Sequence, residues 1–156
     1  MVAQPEKELR FTRSTQARQF AVLGAILIGI AVTLFATAIL VFFGYEPPVA
    51  LWSPLIPLLP AIALFCLSFH CAKHAYLILS PIGVEIFPFF KPSENFRMIP
   101  WPEIAFAEIK DNTLILHRDT GKTSGVIISL SPLDPARRQL LKKAIDGRMA
   151  EREKNG

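Results

Sequence analysis

FAVLGAILIGIAVTLFATAILVFF, residues 20–43, and LWSPLIPLLPAIALFCLSF, residues 51–69, decide how this chain is built. Each is near or above the ~20 apolar residues that cross a bilayer core of roughly 30 Å at about 1.5 Å per residue. Gly44–Ala50 between them is too short to hold a domain, so the pair is expected to form a tight helical hairpin. Between Phe20 and Ala72 the only charged residue is Glu46. A cleaved leader does not fit, because its apolar region would be too long and its only Ala-x-Ala, Ala36-Thr37-Ala38, lies inside it.

Working outward, Lys7, Arg10, Arg13 and Arg18 precede the first span, Lys73 closes the second, and the connecting loop carries no Lys or Arg. This bias predicts a multi-pass membrane protein with both termini on the cytoplasmic side. Tyr45 and Trp52 flank the loop as interfacial aromatics. The expected organisation is a cytoplasmic arm over residues 1–19, a hairpin over 20–74, a soluble domain over 75–148 and a charged tail over 149–156. Pro54, Pro57 and Pro60 predict a kinked or partly irregular entry to the second span.

Beyond the hairpin the period changes to that of strands. Tyr76–Ser80, Val84–Phe90, Phe96–Trp101, Ile104–Lys110, Thr113–Arg118 and Ser124–Leu130 read as strands. Pro81-Ile82-Gly83 reads as a turn with a glycine suited to positive φ, and Asp111-Asn112 as a two-residue hairpin connection. Asp134 and Pro135 are cap and first residue of a closing helix with an apolar stripe of Ala136, Leu140, Leu141, Ala144 and Ile145. After Gly147 the charged tail is expected to fray.

The segments Leu79-Ser80-Pro81-Ile82-Gly83-Val84 and Ile99-Pro100-Trp101-Pro102-Glu103-Ile104, followed by the strand pair and the helix after Asp134, resemble the bacterial pleckstrin-homology-like domains. The resemblance covers about residues 20–148 and extends to small membrane proteins carrying such a domain after two N-terminal spans. It implies a membrane α-hairpin plus an α+β PH-like domain, with a bent antiparallel sheet of six to seven strands capped by the C-terminal helix. It also implies an interaction or scaffold module. Phosphoinositide-binding relatives place basic residues in the first hairpin turn, whereas Ser80-Pro81-Ile82-Gly83 has no cation.

The remaining candidates are weighed on their chemistry. Residues 75–156 carry 12 Lys/Arg against 10 Asp/Glu, too even for a nucleic-acid surface. No nucleophile–base set, phosphate loop or carboxylate pair is visible, so an enzyme and a resident cofactor are not expected. Phe87, Phe89, Phe90 and Phe96 surround a proline-containing loop and form an exposed partner-binding patch or part of the core. Trp101 and Glu103 either face a partner, or fill the core and cap the turn. Arg138, Lys142 and Lys143, with Arg137 and Arg148, are candidates for anionic lipid. His70 and His74, four apart, are metal or haem candidates and otherwise interfacial histidines; Cys71 and Lys73 are close by, but no acidic or histidine partner lies nearby in the sequence. The expected function is a non-catalytic membrane-anchored module that docks a protein partner, as an accessory or assembly subunit of a membrane complex. The alternatives are a cofactor- or transport-linked subunit using His70 and His74, or an anionic-lipid sensor.

Overall fold

The computed structural model describes residues 8–45, 50–89, 94–121 and 123–155. Two compact units emerge: one is Gln16–Lys73, and the other is drawn from the chain on both sides of it, up to Thr15 and from His74 onward.

In the first unit, helix α1 (Ser14–Ile39) passes into a 3₁₀ turn, Leu40–Phe43, and helix α2 spans Leu55–Lys73. At about 1.5 Å per residue these 26 and 19 residues extend about 39 and 28 Å, and both helices are long and apolar enough to cross a membrane. Gly24, Ala31 and Ala38, seven residues apart, are the buried positions of α1 within this unit beside Ala17. Small residues there allow close approach: a side chain on Gly24 would meet the Phe65 ring at 2.9 Å. Ser68 Oγ donates to Ala17 O at 2.7 Å, joining the start of α1 to the end of α2. Gly44, with φ of 82°, supplies the left-handed turn after α1. The expected proline distortion is limited to the entry: Leu51–Pro54 are turn residues, while α2 continues through Pro57 and Pro60.

In the second unit, β1 (Leu9–Thr12), β2 (Ala75–Leu79), β3 (Gly83–Ile86) and β4 (Arg97–Pro100) form one antiparallel sheet in that order. A second sheet contains β5 (Phe106–Lys110), β6 (Thr113–His117) and β7 (Gly125–Ser129). Helix α3 covers Pro135–Asn155. Core-facing Phe11, Leu77, Leu79, Val84 and Ile99 from the first sheet join Leu114, Leu116 and Ile128 from the second, with Leu141 and Ile145 of α3, in one buried cluster.

Four expectations change. The N-terminal arm is not merely an arm: Leu9, Arg10 and Phe11 pair with Leu79, Ile78 and Leu77, and Phe11 is buried. A strand of four residues without its partner in view leaves too short a periodic signal. The six-to-seven-stranded sheet is two sheets. Pro100 and Pro102 lack the N–H groups that would carry the ladder on, and Trp101–Glu103 turn as a 3₁₀ helix between β4 and β5. Gly83 is not at positive φ; it faces Pro100, where a side chain would run into Ile99 O and come within 2.9 Å of Pro100 Cα. Helix α3 does not break at Gly147 but continues to Asn155, and its buried stripe is Leu141 and Ile145 with Ala144 and Met149, while Ala136 and Leu140 are exposed.

Other local readings hold. Asp111 sits at φ 53° between β5 and β6, in the left-handed region that aspartate tolerates. Asp134 caps α3, its Oδ1 accepting from Arg137 N at 2.8 Å. That bond, more than the Ser14 hydroxyl or the Arg137 guanidinium, holds the Asp134 carboxyl below the ordinary carboxylate range.

Candidate docking groove

The second unit carries a groove of about 680 Å³, lined on one bank by Val126, Ile127, Ile128 and Ser129 of β7. The opposite bank comprises Ile86, Phe87, Phe96 and Arg97 around the β3–β4 connection. The phenylalanines stack with centroids 5.9 Å apart and planes 18° from parallel. Phe96 is 49% exposed and Ile127 73%, the most solvent-exposed large apolar side chain among the described residues of this unit.

Tyr76 closes one end. Its hydroxyl donates to Ser129 O at 2.7 Å, tying β2 to β7 across the two sheets. Burial pushes the phenol above its ordinary pKa, partly opposed by the Arg13 guanidinium, which lies 4.3 Å from the ring centroid. Arg13 also donates to Phe87 O at 3.0 Å and lies 5.5 Å from the Phe89 ring. Phe87 and Phe89 thus play different parts: the first lines the groove, and the second belongs to a cation–aromatic clamp that holds its bank. Phe90 lies outside the described residues.

The other sequence candidates fall away from the groove. Trp101 packs against the core, and its indole Nε1 donates to Ser80 O at 2.9 Å, bracing the first hairpin. Glu103 does not cap the turn; it lies 3.7 Å from Arg118. Arg138 is engaged within the unit, its Nε donating to Leu133 O at 2.9 Å and its terminal nitrogen to Asn112, which removes it from a free lipid-facing row. Lys142 and Lys143 are exposed. Among the described residues, no three His, Cys, Asp or Glu side chains come together to hold a metal, so His70 and His74 gain no third ligand there.

Tyr76, Arg97, Val126 and Ile127 were not singled out from the sequence. Their signal is faint: an uncharged alternating strand reads the same whether its edge is paired or open. No protein family matches the chain, and neither does any curated protein or solved structure.

Proposed function

We propose that this protein is a non-catalytic, membrane-anchored interaction module whose groove docks a protein partner at the inner face of a bacterial cytoplasmic membrane. The soluble unit is read as a PH-like domain that serves as an accessory or assembly part of a membrane complex. One observation carries the reading: an aromatic pair faces a strand bearing a nearly bare isoleucine, across a cleft with room for an extended segment. Pairing of β1 with β2, from either side of the hairpin, supports two antiparallel crossings, and the basic flanks support a cytoplasmic domain.

The test places a photoactivatable phenylalanine at Phe96 in the full chain and irradiates native membranes. A discrete crosslinked polypeptide, lost when Phe87 is changed to serine, is the expected result. No crosslink above that of a probe at the remote, exposed Ile82 refutes the docking reading.

A further inference from the structure

Strand β7 ends its sheet, and among the described residues no strand pairs with its outer edge. At its two ends Arg118 N donates to Ser124 O at 3.0 Å and Leu130 N to Asn112 O at 2.6 Å. The antiparallel register then turns the backbone groups of Val126 and Ile128 toward β6, and those of Gly125, Ile127 and Ser129 away from it. Tyr76 already occupies Ser129 O. Gly125 and Ile127 therefore present two donors and two acceptors on an edge to which no described strand pairs. Edges of this kind are ordinarily blunted by lysine, proline or a bulge, and Gly125–Ser129 has none of these.

We propose that β7 pairs antiparallel with β7 of a second copy of the chain, about a two-fold axis at Val126. This inference rests on the groove being a protein-docking site and names its occupant. The axis follows from the hydrogen-bonding inventory. Centred there, Gly125 of each copy exchanges two bonds with Ile127 of the other, and the Ser129 carbonyl held by Tyr76 is not needed. Shape agrees, because each exposed Ile127 comes to lie over a Gly125 that has no side chain to obstruct it. Charge along the paired strands does not oppose this, because Thr123–Leu133 carries no ionisable group; Glu94 and Arg97 lie on the other bank of the groove.

The experiment uses the full chain in membrane vesicles, with Cys66→Ser and Cys71→Ala, and oxidises a Val126→Cys variant. Val126 would face its own counterpart as a non-hydrogen-bonded pair, about 4.5 Å between Cα atoms and within disulfide reach. A disulfide-linked dimer is expected, lost on adding Ile127→Lys and retained on adding Ile82→Lys, which is exposed elsewhere. Energy transfer between differently labelled chains keeping both native cysteines must show the same dependence on Ile127. No dimer at Val126→Cys, or one indifferent to Ile127→Lys, overturns self-pairing. If the Phe96 photoprobe then captures a different polypeptide, docking stands and its occupant is not a second copy. If the photoprobe also captures nothing, both readings fall.

Discussion

Replacing Asp134 with alanine tests how the start of α3 is fastened to Ser14 within the second unit. Its Oδ1 accepts from Arg137 N at 2.8 Å, and its Oδ2 accepts from Ser14 Oγ at 2.8 Å; Ser14 Oγ in turn receives Asp134 N at 3.3 Å. Losing a helix cap costs about 1 kcal/mol. Loss of the half-exposed bond to Ser14 adds about 1 kcal/mol. The Arg137 ion pair, at 3.4 Å with side chains 42% and 38% exposed, is discounted for solvent screening to a few tenths of a kcal/mol. D134A should therefore lose about 2–2.5 kcal/mol. S14A alone should lose about 1 kcal/mol, and the double variant little more than D134A, because both changes delete the same contact. Urea unfolding in mild detergent, followed by Trp101 emission in a Trp52→Phe background, provides the assay, with an unchanged denaturant slope. The pH sign follows from the lowered folded-state pKa. The carboxylate contributes above its unfolded-state pKa, and that contribution is lost as pH falls through the lower folded value, so wild type and D134A converge in strong acid. A D134A loss below about 0.5 kcal/mol, or full additivity with S14A, would refute the reasoning.

Further expectations use the same unfolding assay. F11A should cost about 3–5 kcal/mol, since its buried ring pins β1 to the core; a neutral effect would mean that β1 is dispensable. G83A should cost about 1–3 kcal/mol, because its methyl group meets the Ile99–Pro100 backbone and not a flexible side chain. Y76F should lose about 1 kcal/mol with the bond to Ser129. Because burial raises the Tyr76 pKa, wild type should lose stability as pH climbs past the ordinary phenol range and Y76F should not. I127K should leave the stability of a single copy, measured at dilutions where no dimer forms, within about 0.5 kcal/mol, its side chain there being 73% exposed.

The hairpin and the strand order from Ala75 to Ser129 were legible because period and turn chemistry are local properties. The Asp134 cap and the left-handed Asp111 belong to the same class. What stayed hidden depends on residues far apart. Strand β1 is four residues long and acquires meaning only beside β2, more than sixty positions later. Gly83 looked like a turn glycine, yet the β3–β4 register is what excludes a side chain. The phenylalanine cluster was visible as composition, but its division between groove and clamp depends on Arg13 and Phe96. Which strand ends a sheet is a matter of topology, so Ile127 looked like any member of an alternating run.

Thr12 stands opposite Ala75 in the β1–β2 register. In connectivity, everything from α1 to α2 is therefore an oversized loop spliced between two adjacent strands. Excising it and joining the cut ends with a few turn residues should yield a water-soluble miniature of the remaining β-rich portion.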